Sequence, residues 1–152
     1  MRAGLIHAAP GRGPGKGVQA TPRTMAALLI GMLVTESLTE AVELTELVMH
    51  LKNENKRGET FAQALEDILS SPEEGAKVQA ISVLRAEESA RATIHYAKKE
   101  ISFGDSKDGI FDYHRYCSQF FLSVEFGRIA EELARRRNLN ERQHHPTREN
   151  EK

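Results

Sequence analysis

Between Ser71 and Ile101 the residues Ala76, Ala80, Val83, Glu87, Ala90, Ile94, Ala97 and Ile101 follow one another at alternating steps of four and three. Such steps keep one narrow stripe of a helix turned toward a partner, and small side chains in that stripe let two backbones approach closely. The spacing predicts a long helix with these eight residues as its interaction seam. Glu87 is the charged member of the stripe. A carboxylate buried without a partner costs too much to be kept, so Glu87 is expected either to pair with a cation from a neighbouring helix, fixing register, or to serve a ligand pocket.

The flanking segments extend the helical reading. From Thr24 to Asn53 the apolar positions Ile30, Leu33, Val34, Leu38, Ala41, Leu44, Val48 and Leu51 recur at three- and four-residue steps, which predicts an amphipathic helix. The polar run Asn53 to Gly58 ends it. A short helix is expected over Thr60 to Leu69. Ser71-Pro72-Glu73-Glu74 then has the order of a helix start, with Ser as cap, Pro at the first helical position and Glu at the third. That helix is read as running to Ser102, and a turn-rich loop as following it over Phe103 to Gly109. A fourth helix is read from Ile110 to Arg137, apolar around much of its circumference. No strand-type alternation bounded by turns is read in the chain. The fold class expected is all-α: an up-down helical bundle of three long helices and one short one over residues 24–137, with a basic Gly/Pro-rich tail over 1–23 and a polar tail over 138–152.

Length and charge restrict the alternatives. A chain of 152 residues suits one domain. Formal charge is −1, which gives no overall attraction to nucleic acid or to an anionic membrane. The charge is nonetheless uneven, with ten acids against three bases over residues 36–75. Arg128, Arg135, Arg136, Arg137 and Arg142 make the C-terminal part basic, but Glu131, Glu132 and Glu141 interleave with them, so a solvated helix end accounts for them better than a nucleic-acid surface. The single cysteine, Cys117, rules out an intrachain disulfide and points to a reducing, cytoplasmic setting. The apolar run Met25 to Val34 is too short to span a bilayer. A mitochondrial transit peptide is a competing reading of residues 1–24, as is an overextended gene start with Met25 as the first residue.

Candidate chemistry is sparse. Glu88, Arg91 and His95 lie one helical turn apart beside Glu87 and would form a polar ladder. His114 and Cys117 are spaced like two soft metal ligands, but two ligands do not make a site, and a core histidine beside a core cysteine explains them. Glu43-x-x-Glu46 together with Asp67 resembles the paired acidic motifs of the all-α pyrophosphohydrolases of the MazG type. That resemblance implies magnesium held over a nucleoside triphosphate by Glu40, Glu43, Glu46 and Asp67, with Ala64 where the family has an acid. His95-Tyr96-Ala97-Lys98 resembles the core of histidine phosphotransfer bundles, which implies a phosphoryl-accepting His95 with Lys98 beside it.

The composition and the seam together favour a non-catalytic interaction or assembly module that needs no cofactor. Its expected partners are a second copy of itself, as a homodimer, or another helical protein. The two resemblances stand as enzymatic and phosphotransfer alternatives.

Overall fold

The computed structural model describes residues 20–34, 41–85, 90–104 and 118–144. Among the described residues there are five helices and five strands, so the fold is mixed α/β and the all-α expectation is overturned. In chain order these are α1 (Pro22–Val34), α2 (Ala41–Met49), β1 (Lys52–Asn53), α3 (Phe61–Ser70), α4 (Pro72–Gly75), β2 (Val78–Arg85), β3 (Ala90–Tyr96), β4 (Glu100–Gly104), β5 (Ser118–Leu122) and α5 (Phe126–His144).

The largest correction falls on the supposed seam. Ser71 does cap a helix, accepting from the Glu74 N–H at 3.4 Å, with Pro72 at the first helical position. The helix stops after one turn at Gly75. From Val78 onward the chain is an antiparallel hairpin, with Ile81 opposite Ile94, Ser82 opposite Thr93 and Val83 opposite Ala92. The coiled-coil expectation fails for a physical reason: Ala90-Arg91-Ala92-Thr93-Ile94-His95 alternates small or apolar with polar residues, a period of two that suits a half-buried strand. Three-and-four spacing can be drawn through such a segment because alanine is frequent in it. In the fold, Ala76 lies in the turn after α4, Ala80 and Val83 point to opposite faces of β2, Ala90 and Ile94 are buried on β3, Ala97 is in the β3–β4 turn and Ile101 is on β4. They do not form one stripe. Glu87 lies outside the described residues.

Two further helices differ from the reading. The expected helix over 24–53 is two helices, α1 and α2, packed on each other. Thr45 is buried at their contact, its hydroxyl satisfied by donating to the Ala41 carbonyl at 2.5 Å. The expected helix over 110–137 is, among the described residues, strand β5 followed by α5, which continues to His144.

The sheet is antiparallel throughout, in the order β1-β4-β3-β2-β5. A register shift between Val78 and Ala80 inserts one extra residue in β2. This bulge lets Val78 share the inner face with Ile81 and Val83, although the three are not evenly spaced. Ile81, Val83, Ala92, Ile94 and Phe103 form the inner face and join Ile30, Val34, Phe61, Leu65, Leu69 and Phe126 of the helices in one core. The Phe61 and Phe103 rings meet at 5.3 Å between centroids, tilted by 57°, a favourable edge-to-face type of contact. The helices thus cover one side of the sheet. The other side carries the polar residues of the strands.

Local signals set the helix ends. The Thr24 N–H donates to the Thr21 hydroxyl at 3.1 Å ahead of α1. Thr60 and Gln63 form a reciprocal capping box at α3, with backbone-to-side-chain distances of 3.3 and 3.0 Å. Between α2 and α3, Asn53 accepts from the N–H groups of Asn55 and Lys56, and Gly58 takes a φ of +87°, so the polar run expected to end a helix does form a turn.

Candidate functional site

Two surfaces stand out, one on the sheet and one on the helices. On the sheet face away from the helices, register brings side chains of three strands into line. His95 of β3 is directly opposite Glu100 of β4, and Ser82 of β2 is diagonal to His95. Ser82 Oγ is 2.8 Å from His95 Nε2, and His95 Nδ1 is 3.0 Å from Glu100 Oε1. A carboxylate can only accept, so the proton of a neutral imidazole sits on Nδ1. Nε2 then accepts from the Ser82 hydroxyl. Ser82 is only 6% exposed, so this bond replaces water for a buried polar group.

Thr93 and Ser102 face each other in the next row. Beyond them, Arg91 pairs with Glu54 at 2.8 Å. Both reach over Gly104, where a Cβ would stand 3.3 Å from the Glu54 carboxylate and 3.9 Å from Arg91 Nε. Gly104 therefore makes room for the ion pair. Tyr96 and Lys99 close the β3–β4 turn, with the ammonium 4.9 Å from the ring centroid. Burial raises the Tyr96 phenol above its ordinary pKa, and the negative charges of Glu74 and Glu59 add to this.

The helical surface is apolar. Residues Met25 to Val34 of α1 carry no charge. One side of α1 packs into the core through Ala26, Leu29, Ile30 and Leu33. Leu28 and Met32, at i and i+4, are turned away from the core, and Met25, part-buried against it, lies at the edge of their stripe. Met32 is 71% exposed and Leu28 41%. Val42 and Leu47 of α2 are exposed as well. At its N-terminal end the stripe opens into a groove of about 510 Å³ between α1 and α5, where Ala20, Met25, Val124, Ile129 and Leu133 meet Glu125, Arg128, Glu132 and Arg136. Hydrogen bonds from Arg136 and Arg135 hold the Glu132 carboxyl below its ordinary pKa.

The residues singled out from sequence fare unevenly. Glu43 and Glu46 are exposed on α2, and Asp67 is exposed on α3. Among the described residues no three acidic, histidine or cysteine side chains gather to hold a metal. Glu40, Glu88, His114 and Cys117 lie outside the described residues. The all-α frame that both resemblances require is not this fold. His95 lies on a strand and Lys98 in the following turn, so the two do not share a helix face. The Ser82–His95–Glu100 line was not read from the sequence. Its members are separated by intervals of 13 and 5 residues, and only the hairpin register joins them. No described helix is long and apolar enough to cross a membrane. Comparison with known proteins gives no matching family model, no similar curated protein and no similar solved structure.

Proposed function

We propose that the chain is an interaction and assembly module that pairs with a second copy of itself through the outward stripe of α1. The observation that carries this reading is the exposure of Met32 and Leu28 on a helix with no charged residue from Met25 to Val34. A surface helix normally turns a polar face to water. Here Leu28 and Met32 stand one turn apart, the i, i+4 spacing of helix-in-groove anchors, and the apolar groove beside Met25 continues their stripe. Two copies related by a two-fold axis would lay equivalent stripes against each other and bury both. The proposed interface lies on α1, on residues other than the eight of the expected seam.

Light scattering coupled to size exclusion tests the reading. The wild-type chain is expected to be dimeric at tens of micromolar, and Met32→Glu combined with Leu28→Glu is expected to yield a folded monomer with unchanged far-ultraviolet circular dichroism. A wild type that is monomeric at that concentration would overturn it.

A further inference from the structure

We propose that the Ser82 hydroxyl is a nucleophile activated by His95, able to take the acyl group of a small activated carboxylic ester. The reading is independent of self-association and rests on the polar face of the sheet. A nucleophile needs a base within hydrogen-bond reach and a third group that orients the base. The distances of 2.8 Å from Ser82 Oγ to His95 Nε2 and 3.0 Å from His95 Nδ1 to Glu100 Oε1 meet both conditions. With the imidazole proton held on Nδ1 by Glu100, the lone pair of Nε2 faces the hydroxyl.

The register adds a hydroxyl. Ser82 has His95 on one diagonal and Thr93 directly across, while Arg91 on the other diagonal turns its guanidinium over Gly104 to Glu54. Cross-strand diagonals of this kind lie within reach of long side chains. β2 pairs with strands on both sides, so its amides around Ser82 are committed to the ladders. Stabilisation of an oxyanion then falls to a side chain, the Thr93 hydroxyl directly across from Ser82. Lacking a cradle of backbone donors, the site is suited to an activated ester with a good leaving group. With Ser82 only 6% exposed, the acyl group must be small.

The step balances as acyl transfer. Ser82 Oγ bonds to the carbonyl carbon while its proton passes to His95 Nε2 and the carbonyl π pair moves onto oxygen. When that pair returns, the bond to the leaving oxygen breaks and the leaving group departs with the proton from Nε2. Water then attacks the acyl-Ser82 ester and gives its proton to Nε2. Ser82 Oγ recovers it as the carboxylic acid is released. Glu100 is a positioning residue that acts through His95.

The test uses the full chain with 4-nitrophenyl acetate and, separately, a small alkyl fluorophosphonate, read by intact mass and by peptide mapping. A single adduct on Ser82 is expected, absent in Ser82→Ala. In His95→Gln, which keeps a polar side chain near Ser82 but supplies no base, labelling is expected to slow by roughly a hundredfold. Glu100→Gln should slow it as well, and Glu100→Asp should restore part of the rate. Circular dichroism melts of each variant establish that the fold is intact. No adduct on Ser82 after prolonged exposure to excess probe would overturn the proposal. So would equal labelling rates in the wild type and a folded His95→Gln.

Discussion

Gly75 and Gly31 show how one residue type can do opposite work. A Cβ on Gly75 would stand 2.9 Å from the Gly127 nitrogen and from the Phe126 carbonyl carbon and oxygen, all backbone atoms. These atoms cannot rotate away as a side chain can. Gly127 returns the contact, since a Cβ there would lie 3.1 Å from the Ala76 backbone. The two glycines let α4 cross α5 at backbone contact. A Cβ on Gly31, in the interior of α1, would meet only the Thr45 hydroxyl at 3.5 Å, an ordinary contact. Gly75→Ala is therefore expected to destabilise the protein by ~1–3 kcal/mol through overpacking. Gly31→Ala should stabilise it by up to ~1 kcal/mol through helix propensity. Urea denaturation of the two variants checks the contrast, and equal midpoints would show that the α4–α5 contact is not close-packed in solution.

At the scale of elements, the parts legible in the sequence were those governed by short-range chemistry. Ser71-Pro72 starts a helix, Thr60 starts another and Asn53 to Gly58 turns, because each depends on hydrogen bonds within a few residues. What could not be read was how long each helix continues. After Ser71 the one-turn helix ends where Gly75 packs against α5, a contact more than 50 residues away in sequence. Alanines at 76, 80 and 90 fit a helical stripe as well as a strand, and Val78, Ile81, Val83, Thr93 and Ile94 were the β-branched evidence against it. The Ser82–His95 line was illegible for the same reason, since register, unlike spacing, is set by the whole hairpin. The start of α1 offers a test of a local rule. Ala20 packs against the core, and Thr21 caps the helix through its hydroxyl and its carbonyl, which accepts from the Met25 N–H at 2.9 Å. Two truncations separate this cap from what precedes it. Deleting residues 1–23 is expected to leave a protein less stable by ~1 kcal/mol than deleting residues 1–19, the usual size of a lost cap. Thermal melts of the two truncations should differ by a few degrees, and coincident melts would show that the cap contributes nothing.

For the molecule as a whole, the decisive feature is that the helical layer and the sheet share one core rather than each possessing its own. Phe61 is fully buried at the start of α3, and its ring meets Phe103 of β4, which is also fully buried. Phe103 in turn belongs to the same cluster as Ile81, Ile94, Ile30 and Phe126, so residues of α1, α3, α5 and three strands are joined through it. Neither layer could hide its apolar face alone: a sheet with one polar and one apolar side needs a cover, and α1 and α3 supply it. Loss of the Phe61 ring should therefore be felt by the strands as much as by the helices. Phe61→Ala is expected to cost ~3–5 kcal/mol, the range for truncating a buried aromatic, which is a large share of the stability of a domain of this size. The form of the transition matters more than its midpoint. Helix loss followed at 222 nm and amide exchange in β2 and β3 should report one common transition, shifted together in Phe61→Ala. If the variant lost its helical signal while the amides of Ile81, Val83 and Ile94 kept their protection, the sheet would be stable without its cover and the shared-core account would be wrong.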